Sequence, residues 1–195
     1  MTHSEVLASF GETIKGVTDR ILATWAKATD SDKEAGATWY TDGEMIVDHL
    51  ALQSGRSRET IAAVVAHLSP RTMWARNVMG ATALVLTGKA PGCLSANVAR
   101  AILALESDDP LATINGPKTG RFAANLLGDR SRVTIDVWAG RVALGEDADY
   151  VSIMRKPGVY DALEHCYRRA ARRIGVDPST MQATAWIVAR NGRSN

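Results

Sequence analysis

Apolar residues recur at intervals of three and four along nearly the whole chain, and this period restricts the fold more than any other feature. In the first run, from Glu5 to about Ala28, the period places Phe10, Ile14 and Val17 on one helical face. The segment Val133–Val137 has the apolar character of a strand, but no second segment offers it a partner. The pattern therefore predicts an all-α fold of about nine or ten helices.

Composition is that of an ordinary globular protein. The 195 residues are 46% hydrophobic and 23% charged, which allows a core without covalent staples. The net charge is +2, so a nucleic-acid surface has to come from local arginine clusters. Such clusters occur at Arg56 and Arg58, at Arg71 and Arg76, at Arg130 and Arg132, and in the run Arg168–Arg173.

Targeting and metal-binding patterns are not evident in the sequence. The two cysteines make neither a disulfide framework nor a zinc site, and no histidine has metal-ligand spacing. We see no signal-peptide pattern and no apolar run of about 18 residues. We therefore expect a cytoplasmic protein that has no membrane contact, metal or cofactor.

A turn followed by a helix stands out in the segment Asn115–Arg141, NGPKTGRFAANLLGDRSRVTIDVWAGR. Gly116 permits a backbone conformation that approaches a ligand closely, and Pro117 suits the first turn of a helix. Lys118 would then lie at the start of that helix, where backbone N–H groups bind phosphate well. The lysine could hold a phosphate, or it could act as a nucleophile once deprotonated.

Asp136 follows Lys118 by eighteen residues and lies in an apolar stretch. One helix and one loop separate the two, which is enough chain to double back and bring the carboxylate to the same cleft. A carboxylate at a helix start is also a common N-cap. The residues alone leave both the catalytic and the capping interpretation open.

The same residues resemble the helix-hairpin-helix DNA glycosylase superfamily, which includes endonuclease III and the 8-oxoguanine glycosylases. INGPKTGRFAANLLGDRSRVTIDVWAGRVAL follows that family's order of hairpin, lysine, loop and aspartate, and IAAVVAHLSPRTMWARNVMGA resembles its early helix pair. The resemblance covers about Ile61 to Leu144. It implies an all-α, two-lobed fold, with one lobe from about 1–55 plus 145–195. The other lobe, about 56–144, carries the hairpin and the catalytic loop.

The resemblance also implies roles for individual residues. Lys118 corresponds to the Schiff-base nucleophile, Asp136 to the essential aspartate, and Arg71 to the residue that fills the gap left by a flipped base. The other candidate DNA contacts are Gly116, Thr119, Arg121, Arg130 and Arg132. The candidate base pocket comprises Trp39, Trp74, Asn77, Trp138 and Trp186, with Asn125 and Gln182 as further readers of base edges. Core packing is the alternative for each tryptophan, and a solvated charge or phosphate contact is the alternative for Arg71.

Three functions are consistent with these residues, all with double-stranded DNA as the partner. The first is base excision with N-glycosylase and AP-lyase chemistry. The second is a transferase of the same fold that attaches an amine or amino acid to an activated pyrimidine, as in phage DNA hypermodification, which would act in the host cytoplasm. The third is a non-catalytic DNA-binding protein. The four-cysteine iron–sulfur cluster of some family members cannot be built from two cysteines.

Overall fold

The computed structural model describes residues 1–190 of the chain. Helices joined by short loops occur along this whole range, as the apolar period predicts. The helices there are α1 (His3–Ala8), α2 (Ile14–Ala26), α3 (Asp30–Ser54), α4 (Arg58–Leu68), α5 (Trp74–Thr87), α6 (Ser95–Glu106), α7 (Pro117–Leu126), α8 (Val137–Leu144), α9 (Tyr150–Met154), α10 (Val159–Ile174) and α11 (Pro178–Arg190). A turn of 3₁₀ helix, Leu111–Thr113, lies between α6 and α7. No strand occurs in residues 1–190, which confirms the prediction of an all-α fold. None of the helices in this range has the length and apolar character that crossing a bilayer demands.

Local chemistry sets several helix ends where the sequence predicts them. Ser57 caps α4 by accepting the N–H of Thr60, and Gly88 ends α5 in the left-handed conformation at φ 75°. The prediction of one helix from Glu5 to about Ala28 is wrong. Gly11 adopts φ 81° and Thr13 caps a new helix by accepting the N–H of Gly16, so the chain breaks between α1 and α2.

The chain divides into two compact units. The terminal unit comprises residues 1–40 together with the chain from 130 onward, and the central unit comprises residues 41–129. The resemblance placed the boundaries near 55 and 144. The structure instead divides the chain within the uninterrupted helix α3 and before the segment that leads to α8. Asp136 therefore belongs to the terminal unit and Lys118 to the central unit, whereas the resemblance assigned both to one lobe.

In the central unit, α4 is the innermost helix. Every residue from Thr60 to Leu68 is buried, and α5, α6 and α7 all pack against it. A helix surrounded in this way has no polar face, which accounts for its almost wholly apolar sequence. His67, at its end, is 4% exposed, and its Nε2 lies 2.9 Å from Thr113 Oγ1. His67 is therefore a core residue whose ring has a hydrogen-bond partner.

In the terminal unit, α10 packs against α1, α2 and α11. Its inner face buries Val159, Leu163, Tyr167 and Ala170, which recur at three and four. The opposite face is rich in arginine. The amphipathic pattern thus directs one side of α10 into the core and leaves the other at the surface.

An extended segment, Val133–Ile135, is buried against α10 without a neighbouring strand. The Tyr160 hydroxyl donates to the Val133 carbonyl at 3.0 Å and accepts the Ile135 N–H at 2.9 Å. The Val133 N–H donates to Glu164 Oε1 at 3.1 Å, and the Tyr150 hydroxyl donates to the Ile135 carbonyl at 3.3 Å. Side chains therefore provide the hydrogen bonds that a paired strand would give, because unpaired buried backbone groups are costly.

We expect Tyr160→Phe to lower the free energy of unfolding by about 1–3 kcal/mol, since it leaves two buried backbone groups without a partner. Tyr150→Phe is the matched control, because it removes one longer hydrogen bond from a half-buried ring. Urea unfolding of both variants measures the difference. Equal losses in the two variants would contradict the assigned role of Tyr160.

The contact between α1 and α10 includes a pair of histidines. The rings of His3 and His165 have centroids 4.8 Å apart. Burial lowers the pKa of His165, and the positive charges of His3, Arg169, Arg172 and Arg168 lower it further. The folded protein therefore disfavours protonation of His165.

This shift predicts a loss of stability in acid. Below the ordinary histidine pKa of about 6.5 the unfolded chain binds more protons than the folded chain, so stability is complete above that pH and falls as the pH drops. We expect the thermal midpoint to decline between about pH 7.5 and about pH 5.5, and His165→Gln to flatten part of the decline. His49→Gln, an exposed histidine on α3, is the control. An unchanged profile in the His165 variant would refute the assignment.

Candidate functional site

Asp136 lies where the extended segment ends and α8 begins. Its Oδ1 accepts the N–H groups of Trp138 at 3.0 Å and Ala139 at 2.9 Å. This geometry confirms the N-cap interpretation of the residue. Asp136 is half-buried, and its second oxygen, Oδ2, is not the acceptor of these two N–H groups.

That second oxygen connects Asp136 to α11. The indole N–H of Trp186 donates to Asp136 Oδ2 at 2.8 Å. The Trp186 ring lies 5.0 Å from the ring of Trp39, and the Arg190 guanidinium lies 4.5 Å from the Trp186 ring centre. The structure thus brings together Asp136, Trp186 and Trp39, three residues selected from the sequence. We name these three residues the Asp136 site.

Tyrosines surround the Asp136 site on its buried side. Burial raises the pKa of Tyr40, Tyr150 and Tyr167, and the negative charge of Asp136 raises each of them further. Their hydroxyls stay protonated at neutral pH and act as donors. The Tyr40 hydroxyl donates to Gln182 Oε1 at 2.7 Å, and the Tyr167 hydroxyl donates to the Ala139 carbonyl at 2.8 Å. Both of these hydroxyl groups therefore donate to other groups of the terminal unit.

Two of the amides considered as readers of base edges have structural partners instead. Gln182 is buried and bonded to Tyr40. Asn125 is buried, and its Nδ2 donates to the Asp129 carbonyl at 2.8 Å, which closes the end of α7. Asn77 on α5 is 1% exposed, so its side chain is enclosed as well. Gln182 and Asn125 therefore satisfy groups in the interior, whereas the buried Asn77 Oδ1 has no hydrogen-bond partner in the described part of the chain.

The other two candidate tryptophans are not part of the Trp39–Trp186 pair. Trp138 lies in the first turn of α8, where its backbone N–H binds Asp136, and the guanidinium of Arg141 lies 5.1 Å from its ring centre. Trp74 begins α5 in the central unit, and its ring meets Phe122 edge-on at 6.1 Å. Trp74 and Asn77 therefore belong to a different unit from Trp39, Trp138 and Trp186.

The predicted turn before Lys118 is present in the central unit. Gly116 precedes α7 with φ 100°, a conformation that other residues rarely adopt, and Pro117 occupies the first helical position. Lys118, Thr119 and Arg121 follow on α7, each half-buried. The first bond of the helix runs from the Gly120 N–H to the Gly116 carbonyl at 3.2 Å. Lys118 and Thr119 therefore lie in the first turn, the part of a helix that binds anions.

A second turn in the central unit projects Arg71. This exposed residue has φ 58° and is the only non-glycine residue with positive φ in residues 1–190. The carbonyl of Pro70 accepts Asn97 Nδ2 at 2.8 Å and the Thr72 hydroxyl at 3.2 Å. A left-handed arginine costs about 1–3 kcal/mol in backbone strain, which the surrounding bonds have to offset.

Arg130 and Arg132 lie half-buried in the terminal unit, on the loop that leads to the extended segment. The Arg130 carbonyl accepts the Ser179 N–H at 3.2 Å, and the Ser131 carbonyl accepts Arg168 Nε at 3.0 Å. These bonds attach the loop to α11 and α10.

Sequence reasoning missed the side chains that support Asp136, chiefly Tyr160 and Glu164. A signal for them exists, because both lie on the apolar face of α10, where a tyrosine hydroxyl and a carboxylate need buried partners. Glu164 is 3% exposed. Within residues 1–190, no three histidine, cysteine or acidic side chains come together as a set of metal ligands.

The bond between Asp136 and Trp186 is testable by a double-mutant cycle. In Asp136→Asn, one of the two carboxylate oxygens is replaced by an NH₂ group, which cannot accept a hydrogen bond. Either the Trp186 indole or the α8 cap therefore loses its acceptor, and we expect a loss of about 1–3 kcal/mol in the free energy of unfolding. Trp186→Phe removes the indole N–H, so the double variant should lose less than the sum of the two, with a coupling of about 0.5–3 kcal/mol. Urea unfolding measures each corner of the cycle.

Trp25→Phe provides the control for this cycle. Trp25 packs against the core of the same unit, on α2. The losses of unfolding free energy caused by Trp25→Phe and by Asp136→Asn should be additive within about 0.3–0.5 kcal/mol. Coupling of equal size in both cycles would mean that the bond from Trp186 to Asp136 has no specific effect.

Comparison with known proteins gives one match. No curated protein and no solved structure shows significant similarity to the chain. One family model, described as a family of unknown function, matches residues 3–193. The match includes both units and every helix from α1 to α11. The chain therefore belongs to the DUF7178 family.

Proposed function

We propose that this chain is a DNA base-directed enzyme of the helix-hairpin-helix glycosylase type, with Asp136 and Lys118 as its catalytic residues. The observation that carries the proposal is the state of Asp136. Three N–H groups, from Trp138, Ala139 and Trp186, donate to a carboxylate that is only half-buried. Such a carboxylate is held in place by its donors and is suited to stabilise positive charge that develops next to it.

A fixed negative charge is what cleavage of a glycosidic bond requires. When the bond from the base nitrogen to C1′ breaks, its electron pair goes to the base, and positive charge develops on the sugar. A preorganised carboxylate stabilises that charge without having to reorganise. The rings of Trp39 and Trp186 beside Asp136 offer the kind of flat apolar surface against which an extruded base can stack.

Lys118 supplies the nucleophile in this proposal. Its amine, once deprotonated, forms a bond to C1′ as the base departs and takes up a proton, and ring opening then gives a Schiff base. The position of Lys118 in the first turn of α7, behind Gly116, supports this role, because that turn can also hold the adjacent phosphate.

The conformation of Arg71 supports the proposal that DNA is the substrate. A strained backbone conformation at an exposed residue is uncommon, and strain of this kind is concentrated at functional positions. The bonds from Asn97 and Thr72 to the Pro70 carbonyl hold the turn that presents it. In the proposal, the guanidinium enters the gap that the extruded base leaves and bonds the orphaned partner base.

A non-catalytic DNA-binding protein is the second candidate, and one observation favours it. Both oxygens of Asp136 already hold structure, one at the start of α8 and the other on α11. A purely structural aspartate would show these contacts too. In that function Lys118 holds phosphate and no covalent step occurs.

Borohydride trapping distinguishes these functions. We expect the protein, incubated with duplex DNA that contains an abasic site, to form a covalent adduct on reduction, because borohydride reduces the Schiff base to a stable amine. Lys118→Ala should abolish the adduct. Lys89→Ala, an exposed lysine of the same unit, is the matched control and should retain it.

Asp136 is tested by single-turnover base release from a set of duplex DNAs that each carry one damaged base, 8-oxoguanine among them, because DNA with an abasic site has no base to release. Asp136→Ser keeps an N-cap and removes the charge, so we expect DNA binding to persist while turnover falls by about a hundredfold or more. An adduct that survives Lys118→Ala would overturn the proposal. Binding without adduct or base release would favour the DNA-binding candidate, and a gain in nucleoside mass with an activated pyrimidine and an amine would favour the transferase.

A further inference from the structure

The surface of α10 carries a row of basic side chains. His165, Arg168, Arg169 and Arg172 follow one another at intervals of three, one and three, which places them on one side of the helix. The opposite side is buried in the core of the terminal unit. Arg169 and Arg172 are exposed. We name Arg168, Arg169 and Arg172 the α10 arginine face.

Neighbouring arginines are already used by the fold. Arg168 donates to Glu164 Oε1 and to the Ser131 carbonyl, each at 3.0 Å. Arg173 pairs with Asp19 at 3.3 Å, and Asp19 also pairs with Lys15. By contrast, no acidic group within residues 1–190 forms an ion pair with Arg169 or Arg172. Two exposed cations are therefore uncompensated at this surface.

The positive charges of this face also act on His165. Arg169, Arg172 and Arg168 each lower the pKa of His165, in addition to the effects of burial and His3. Charges that disfavour a further proton on the helix also attract anions from solution. Asp161, one turn before His165, and Asp19, beside Arg173, mark the two ends of the positive surface.

The fold connects this face to the Asp136 site. Arg168 binds the Ser131 carbonyl, and Glu164 binds the Val133 N–H, so α10 holds the loop and the extended segment that end at Asp136. Arg132 lies on this loop. An anion bound at the α10 arginine face is therefore placed relative to the carboxylate by a chain of hydrogen bonds within one unit.

The dipole of α10 accounts for part of the pattern. Arg172 and Arg173 lie in its last turn, where cations stabilise a helix by about 0.3–1 kcal/mol each. Arg169 lies before that turn, so the helix dipole does not account for it. No acidic residue within residues 1–190 forms an ion pair with it. Its exposure, together with the uncompensated Arg172, is better explained by an anionic partner.

We propose that the α10 arginine face binds the phosphate backbone of nucleic acid, as a contact separate from the turn at Gly116. The identification of DNA as that nucleic acid rests on the proposed function. Arg169 and Arg172 are three residues apart, so their Cβ atoms lie about 5–6 Å from each other and their guanidinium groups can reach successive phosphates of one strand. The contact would position the strand for the Asp136 site.

The test is the salt dependence of binding to a short duplex, followed by fluorescence anisotropy. Loss of two phosphate contacts should reduce the slope of log affinity against log salt by about two, since each contact releases about 0.9 of a counterion. We expect the Arg169→Glu/Arg172→Glu variant to bind the duplex at low salt with an affinity that is lower by about tenfold or more. Arg169→Gln/Arg172→Gln tests the same contacts without adding negative charge. Circular dichroism confirms that each variant is folded.

The matched control is Lys27→Glu/Arg155→Glu, which reverses the same number of charges. Both residues are exposed in the terminal unit and, like Arg172, lie at the end of a helix. This control should retain most of the affinity and nearly the full slope. If it loses as much as the Arg169/Arg172 variants, the effect is one of net charge and the proposal is overturned.

Two further readouts separate this proposal from the proposed function. Borohydride trapping by wild-type protein, with a salt slope that depends on Arg169 and Arg172, supports both. If the salt slope depends on the arginines but no adduct is trapped, nucleic-acid binding by the α10 arginine face is supported and only the proposed enzymatic function is contradicted. Trapping with an unchanged slope in the variants overturns the surface alone. Binding to heparin that depends on the arginines, without binding to duplex DNA, overturns nucleic acid as the partner.

Discussion

The hydrogen bonds from α10 to the segment Val133–Ile135 are the interaction on which the rest of the terminal unit depends. This segment is buried and extended in a helical protein, so its backbone N–H and C=O groups have no regular partner. Tyr160 and Glu164 supply the partners, and Tyr150 adds a third. Without them the segment would have to become a helix or move to the surface, and either change would displace Asp136.

The position of Asp136 follows from this constraint. The segment delivers the carboxylate to the start of α8, where the two backbone N–H groups fix one oxygen, and Trp186 fixes the other from α11. These contacts come from two helices of the terminal unit, α8 and α11. A half-buried carboxylate is therefore kept in one orientation, next to Trp186 and Trp39. The structural role of Asp136 and its proposed catalytic role are compatible, because the same donors that cap the helix also keep the charge in place.

The two proposals use different surfaces for different tasks. The Asp136 site and Lys118 are assigned the chemistry, while Arg71 and the α10 arginine face are assigned the nucleic acid. Within the terminal unit, Glu164 connects the α10 arginine face to the extended segment. It accepts hydrogen bonds from Arg168 and from the Val133 N–H. A single buried carboxylate thereby connects a basic surface to the segment that presents the candidate catalytic aspartate.

Much of the fold follows from local sequence. The period of three and four predicts the helices, and Ser57, Gly88 and Pro117 mark their ends because capping depends on a few adjacent residues. The break at Gly11 was missed, since the apolar period continues across it. The capping interpretation of Asp136 also came from the sequence, because an N-cap bonds only its own helix.

The sequence by itself determined the helical class, most helix ends and the helix starts at Lys118 and Asp136, all of which depend on neighbours along the chain. Tertiary structure alone decided that Trp186 bonds Asp136 and packs near Trp39, that Gln182 and Asn125 satisfy interior groups, and that Lys118 and Asp136 lie in different units. The physical reason is distance along the chain. Trp186 lies fifty residues from Asp136, and no local pattern specifies which distant donor will satisfy a buried acceptor.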